Sequence, residues 1–174
     1  MSKHHIEALA HLANMHYIAS QIHARTPLVD ETGKSIVDYM DDATKHLNES
    51  MFHGTIGNPQ NSLFSLRRTY QTTQGVMGML NKAAQNQYDD AVKGNLSPDT
   101  AVKNMDDMNA FAEQHDLFLN KGKDIVLDQQ NKGLSTKEKV DNAREVIDSI
   151  ADEHNLLLPG SWTRHGDEPA PNGE

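Results

Sequence analysis

The chain has 174 residues, a formal net charge of −9 and no cysteine. This length suits one domain with a sizeable core. The acidic balance argues against binding to nucleic-acid phosphates, and the lack of cysteine excludes disulfides, thiolate zinc sites and cysteine nucleophiles.

The sequence contains no run of about 18 apolar residues, so we expect no membrane span. The N-terminal residues Met1-Ser2-Lys3-His4-His5 lack the apolar core of a signal peptide, and secretion by the general route is not expected. Composition leaves the compartment open between the cytoplasm and an assembled particle.

The N-terminal third predicts a helical hairpin, because its apolar residues recur every three or four positions. One helix is predicted over residues 3–24 and a second over 31–51, separated by the Thr26-Pro27 step. A link this short favours antiparallel packing. The predicted buried residues are Ile6, Leu9, Ala13, Ile18 and Ile22, broadened by Leu12, Met15 and Ala19, and then Ile36, Met40, Ala43, Leu47 and Met51.

A loop is predicted over residues 53–61, followed by a third helix from Ser62 to about Lys93. Gly75 and Gly78 interrupt this helix, which indicates a kink or a close helix contact there, since each glycine costs up to ~1 kcal/mol against alanine. Its predicted buried residues are Leu63, Leu66, Tyr70, Met77, Leu80, Ala84 and Ala91.

The second half contains a tandem similarity with a period of about 39 residues. Leu80-Asn81-Lys82 and Lys93-Gly94-Asn95-Leu96-Ser97 match Leu119-Asn120-Lys121 and Lys132-Gly133-Leu134-Ser135. Glycine and serine at both turns predict a helix end followed by a new N-cap. The match reflects either a duplication or two independent uses of the same capping residues.

Helices are therefore predicted over 98–120, with an extension to Gln130, and over 136–157. The predicted apolar stripes are Val102, Met105, Met108, Ala112 and Leu119 in the fourth helix, and Val140, Ala143, Ile147, Ile150, His154 and Leu157 in the fifth.

The predicted fold is all-α, with an N-terminal helical hairpin (3–51) and a repeat-like bundle of long helices or a short helical array (62–158), about five helices in total. Residues 1–158 form one helical domain, and residues 159–174 are predicted to be a flexible tail.

Six histidines in the first 53 residues form pairs that are seven residues apart: His4/His11, His16/His23 and His46/His53. Each pair shares a helix face, but two turns of helix are too long for both rings to bind one metal ion. We expect no metal or other cofactor. A second hypothesis is that these six histidines sense pH, because imidazoles gain charge in mild acid. In mild acid the helical hairpin, or its contact with a partner, would then loosen or tighten.

Other motifs carry little chemistry. Gly33-Lys34-Ser35 matches the end of a phosphate-binding loop but lacks the earlier glycine and the buried strand, so a helix start is the better interpretation. No nucleophile elbow is present, and no catalytic residue is predicted.

The function that we predict is a non-enzymatic helical binding module or assembly component with a protein partner or self-association. The composition has the general character of small accessory proteins of phages and bacterial secretion systems, without a motif that defines a family. The residues predicted to contact a partner are Leu156, Leu158, Trp162, Met105 and Met108. Two alternatives stay open: a small helical metal-dependent enzyme or metal binder using the N-terminal histidines with Glu7, Glu49 or nearby aspartates, and a secreted or injected effector that binds a host protein.

Overall fold

The computed structural model describes residues 3–130, which form four α-helices and contain no strand. The helices are α1 (Lys3–Arg25), α2 (Ile36–Thr55), α3 (Pro59–Val92) and α4 (Pro98–Gln130). Each helix packs on the next, and α4 packs on α1, so the four helices close into an antiparallel bundle. The all-α prediction is confirmed, with four helices in the described part. The predicted fifth helix, the break at Ser135 and the tail lie outside the described residues.

The helix starts follow from capping residues. The α2 helix begins at Ile36 and not near residue 31, because the Ser35 side chain accepts a hydrogen bond from Asp38 N while Asp38 reaches back to Ser35 N. Gly33 precedes this cap with a φ of 86°. This confirms that Gly33-Lys34-Ser35 leads into a helix.

The start of α3 also differs from the prediction. It begins at Pro59, three residues before Ser62, because Asn58 caps the helix and Pro59 suits its first turn. The break at Ser97 is confirmed. Gly94 has a φ of 80°, and Ser97 Oγ accepts a hydrogen bond from Thr100 N at 3.1 Å. The predicted extension of α4 to Gln130 is confirmed as well.

The core contains most of the predicted apolar residues, but some predicted stripes are rotated. In α1, Ile6 and Ala13 are exposed, and Ala8 is buried instead. In α4, Val102 is exposed. The largest side chains at the centre are Phe111 and Phe118, which the sequence analysis did not select. The buried apolar residues are Ala8, Leu12, Met15, Ala19, Ile22, Ile36, Met40, Ala43, Leu47, Leu66, Tyr70, Val76, Met77, Leu80, Ala83, Met108, Phe111, Ala112, Phe118, Leu119, Ile125 and Val126.

The close helix contact predicted at Gly75 and Gly78 is found elsewhere. The α3 helix continues through both glycines, and a Cβ at either position would meet no atom within 4 Å. The close contact is at Gly122 of α4, where the Tyr70 hydroxyl occupies the space that a Cβ would need.

Candidate functional site

His4 lies among three carboxylates between α1 and α4. Its Nδ1 is 3.7 Å from Glu7 Oε1 and 3.7 Å from Asp124 Oδ2, and its Nε2 is 3.6 Å from Asp128 Oδ2. Lys121 Nζ lies 3.4 Å from Glu7 Oε2 and offsets part of this negative charge. These distances are those of long ion-pair contacts rather than short hydrogen bonds, and they bring the last turns of α4 against the first turn of α1.

Two further histidines lie beside carboxylates. His16 Nε2 is 2.7 Å from Asp41 Oδ1, which joins α1 to α2, and His46 Nδ1 is 3.1 Å from Glu49 Oε1 within α2. Both carboxylates are exposed, and exposed pairs of this kind contribute only about 0–1 kcal/mol.

The remaining predicted pH sensors have other partners. His11 Nδ1 is 3.0 Å from Gln114 Oε1. His23 Nδ1 accepts a hydrogen bond from Leu28 N at 2.9 Å, just beyond the end of α1. His53 lies at the end of α2, with its ring centroid 5.6 Å from that of Phe52. The six histidines therefore have different partners, and the pH hypothesis stays a prediction.

A buried polar cluster joins α1, α2 and α3. His5, Ser50 and Ser62 are fully buried. Ser50 Oγ donates to Ser62 O at 2.8 Å, Ser62 Oγ donates to Ser50 O at 2.8 Å, and His5 Nε2 is 3.0 Å from Ser50 Oγ. Since the Ser50 hydroxyl uses its proton on a carbonyl, His5 must donate to it. His5 therefore does not act as a base toward Ser50, and the cluster fixes helix positions rather than preparing a nucleophile.

His115 repeats this arrangement between α3 and α4. Its Nε2 is 3.1 Å from Thr73 Oγ1, and Thr73 Oγ1 donates to Tyr70 O at 3.0 Å. The imidazole is stacked between Phe111 and Phe118, with ring centroids 6.5 and 6.4 Å away. His115 is fully buried, so this histidine also donates to a hydroxyl inside the core.

Neither buried histidine is predicted from the sequence, although the spacing of each from a buried apolar residue is a signal. His5 is seven residues before Leu12, and His115 is seven residues after Met108, so each lies in line with a buried apolar residue. A histidine at such a position is a core residue that needs a hydrogen-bond partner.

The loop between α1 and α2 is held by charged side chains. Hydrogen bonds from Thr32 and from the Tyr39 hydroxyl hold the pKa of Asp30 well below its usual range. The ion pair of Lys34 with Asp42 raises the pKa of Lys34 and lowers that of Asp42. These contacts order the turn that leads into the Ser35 cap.

A pocket of about 580 Å³ lies between this loop and α3. Its lining is mainly small and apolar, with Asp30, Glu31 and Lys82 as the charged residues. It contains no histidine, and Asp30 is already hydrogen-bonded to its own loop. Across residues 3–130, no group of three or more histidine, aspartate or glutamate side chains is arranged to hold a metal ion.

Four large apolar residues are exposed near the end of the α3–α4 hairpin. The side chains of Tyr88, Val92, Val102 and Met105 are 74%, 70%, 61% and 38% exposed. Arg25, the last residue of α1, contacts Asn104 and Asp107, so the first turn of α4 extends beyond α1. We call these four apolar residues the tip patch.

Helix geometry places the four residues of the tip patch on one face. Gln87 Nε2 is 3.7 Å from Met108 Sδ, which marks the line of contact between α3 and α4. Taking Gln87 and Met108 as reference positions, a turn of 100° per residue places Tyr88 and Val92 about 100° and 140° around α3, and Met105 and Val102 about 60° and 120° around α4. Because the two helices are antiparallel, these rotations bring all four residues to the same side of the pair.

The residues predicted to contact a partner have different positions. Met105 belongs to the tip patch, whereas Met108 is 7% exposed and packs in the core. Leu156, Leu158 and Trp162 lie outside the described residues. The structure therefore adds Tyr88, Val92 and Val102 to Met105 as accessible apolar side chains.

Comparison of the chain with models of protein families, with curated proteins and with solved structures finds no match. Within residues 3–130, none of the helices combines the length and apolar character needed to cross a membrane.

Proposed function

We propose that the chain is a non-enzymatic helical binding module or assembly component, and that it contacts a protein partner through the tip patch. The observation that carries this proposal is the clustering of four exposed apolar side chains at the end of a projecting hairpin. Aromatic and apolar side chains in a local patch are typical of the centre of protein interfaces.

The surroundings of the patch define the chemistry of the partner. Residues 88–106 include four aspartates and two lysines, so the rim is acidic on balance; the aspartates are Asp89, Asp90, Asp99 and Asp106. A matching surface would have an apolar centre and basic residues around it, and such charge complementarity accelerates association. The net charge of −9 favours the same kind of partner.

The test compares two variants of the full chain. Tyr88→Ser with Val92→Ser removes the α3 half of the tip patch, and Tyr17→Ser is the matched control, because Tyr17 is also exposed but lies on α1. Proteins captured from the native source by the wild type are identified by mass spectrometry, and the affinity of each purified protein is measured for all variants.

A partner whose affinity falls at least tenfold with the double variant, and stays within twofold of wild type with Tyr17→Ser, supports the proposal. Equal binding by the double variant and the wild type contradicts it. The full chain is also weighed in solution, because self-association that the double variant abolishes would identify a second copy as the partner.

A further inference from the structure

The α3 helix has an exposed side, away from the contacts of Ser62 with α2 and of Thr73 with α4. Seven residues make nearly two helical turns, so residues at this spacing form stripes along the helix. Two adjacent stripes cover the exposed side, and all of their residues are exposed. We call them together the outer face: the first stripe is Arg68, Gly75, Lys82 and Asp89, and the second is Phe64, Gln71, Gly78, Gln85 and Val92.

Two glycines lie at the middle of the outer face. A Cβ at Gly75 or Gly78 would meet no atom within 4 Å, so packing within residues 3–130 does not require glycine at either position. Each glycine costs the helix up to ~1 kcal/mol relative to alanine. Their effect is to leave the backbone of α3 accessible from outside, which allows another chain to approach it closely.

Charge is distributed unevenly along the outer face. The chain has 25 acidic residues, but none of them occurs between residues 50 and 88. Within that stretch Arg68 and Lys82 are exposed, and the guanidinium of Arg68 lies 5.9 Å from the ring centroid of Phe64. Asp89 then begins the acidic end of the helix. The outer face is therefore basic over its first part and acidic at its end.

The first stripe is complementary to itself when a second copy runs in the opposite direction. Arg68 and Asp89 are equally far from a midpoint between residues 78 and 79, and Gly75 and Lys82 have the same midpoint. A second α3 that is antiparallel about this point has its Asp89 level with Arg68, and its Lys82 level with Gly75. Opposite charges are then paired at both ends, and each lysine lies against a glycine that leaves room for it.

The second stripe has nearly the same midpoint, at Gly78. Phe64 comes level with Val92 of the second copy, and both side chains are more than half exposed in the single chain. Gln71 comes level with Gln85, and two glutamine side chains can donate to and accept from each other. Gly78 lies opposite its own equivalent, where the lack of a side chain allows the closest approach of the two helices.

The pocket beside the α1–α2 loop lies where Lys82 of the second copy would enter. Gly75 and Gly78 line the pocket from α3, and Asp30 and Glu31 line it from the loop. A lysine that comes level with Gly75 would place its ammonium group near these two carboxylates, which favours the contact. The pocket therefore gives the second copy an acidic site for this lysine.

We propose that two copies of the chain associate through the outer face of α3, with the helices antiparallel and the two-fold axis at Gly78. Such an interface is isologous, because each pair of contacting residues occurs twice. The contact extends from Phe64 to Val92, or ~42 Å along the helix. The inference goes beyond the proposed partner, because the outer face shares only Val92 with the tip patch.

The first test exchanges charges between the two ends of the outer face in the full chain. Arg68→Glu places a glutamate level with Asp89 of the second copy, and Asp89→Arg places an arginine level with Arg68. Each variant should repel its own copy, whereas in an equimolar mixture of the two variants opposite charges are paired again. Lys123→Glu is the matched control, because Lys123 is an exposed cation on α4.

Sedimentation equilibrium over a range of protein concentrations measures the association, and circular dichroism verifies that each variant is helical. We expect the wild type and the control to form dimers, each charge variant to raise the Kd at least tenfold, and the mixture to stay within threefold of the wild type. A wild type that is monomeric at every concentration overturns the proposal, as does a mixture that fails to restore the dimer. Masses that grow beyond a dimer would show a head-to-tail chain of copies and would also overturn it.

The second test locates the two-fold axis by cross-linking, since the chain has no cysteine of its own. Gly78→Cys places a thiol on the axis. Gln85→Cys is the control, because it lies on the same stripe but its two copies would be ~20 Å apart along the helices. Under mild oxidation the disulfide-linked dimer should form at least fivefold faster with Gly78→Cys, as measured by mobility without reductant. Equal rates would overturn the antiparallel arrangement.

These tests fail separately from the test of the proposed function, because Arg68→Glu leaves the tip patch unchanged. A monomeric full chain whose captured partner binds the Tyr88→Ser, Val92→Ser variant at least tenfold more weakly would overturn this inference and support the proposed function. A dimer that Arg68→Glu dissociates, together with a partner whose affinity does not depend on the tip patch, would do the reverse.

Discussion

Gly122→Ala tests how closely α3 and α4 approach each other. A Cβ at residue 122 would lie 1.5 Å from Tyr70 Oη, 2.4 Å from Tyr70 Cζ and 2.8 Å from Tyr70 Cε1. The same hydroxyl donates to Leu119 O at 2.9 Å, and burial raises the pKa of Tyr70 above its usual range. Because atoms do not approach this closely, the substitution must displace Tyr70 or move the two helices apart.

The expected change in stability is the sum of three terms. Overpacking costs about 1–3 kcal/mol, and the loss of the hydrogen bond between Tyr70 and Leu119 adds about 1 kcal/mol. Alanine is the better helix former by about 1 kcal/mol, which offsets the second term. We therefore expect Gly122→Ala to lower the free energy of unfolding by about 1–3 kcal/mol. The corresponding fall in Tm is roughly 3–10 °C for a chain of this size.

Urea unfolding followed by circular dichroism measures the effect. Gly78→Ala is the matched control, because a Cβ there meets no atom within 4 Å, and it should raise stability by up to ~1 kcal/mol. In a Tyr70→Leu background, which removes the hydroxyl and the ring, Gly122→Ala should lose most of its cost. The reasoning is refuted if Gly122→Ala is as stable as the wild type, or costs the same in both backgrounds.

Two further predictions concern hydrogen bonds. Ser50→Ala removes the buried hydroxyl that bonds both His5 Nε2 and Ser62 O and should cost about 1–3 kcal/mol. Ser20→Ala, which removes only a bond to the preceding turn, should cost less than about 0.5 kcal/mol. Similar losses in urea unfolding would contradict the assigned role of Ser50. Asp30→Asn should destabilise the protein at pH 7, because hydrogen bonds from Thr32 and a tyrosine hydroxyl lower the pKa of Asp30 in the folded state. That contribution is present above the unfolded carboxyl pKa of about 3.9 and is lost as the pH falls below it, so the difference from wild type should shrink between pH 5 and pH 3. A difference that does not depend on pH would show that the charge of Asp30 does not stabilise the loop.

Turns and helix ends that depend on nearby capping residues could be predicted from the sequence. The Ser97 break follows from glycine and serine at fixed places in a turn, and these residues act on the backbone within a few positions. The predicted start of α2 near residue 31 is wrong, because Asp30, Gly33 and Ser35 all favour a turn or cap, and only the capping box of Ser35 with Asp38 decides among them. Capping depends on residues a few positions apart, so it can be predicted best from the sequence.

The histidines show the limit of the same reasoning. Spacing correctly placed His4 and His11 on one face of α1, and both contact α4. Spacing did not reveal that His5, the neighbour of His4, is the fully buried one. Its environment depends on Ser50 and Ser62, which are far along the chain and come together only when the bundle closes.

By itself the sequence determined the helical periodicity, the helix ends at the capping residues and the acidic surface, because each depends on neighbours within one or two turns. Only the tertiary structure decided which apolar stripe faces the centre, that Gly122 rather than Gly75 or Gly78 is the point of close approach, and that Tyr88, Val92, Val102 and Met105 gather at the hairpin tip. In a long helix several stripes satisfy the same three-and-four spacing, and the choice among them is made by the side chains of other helices.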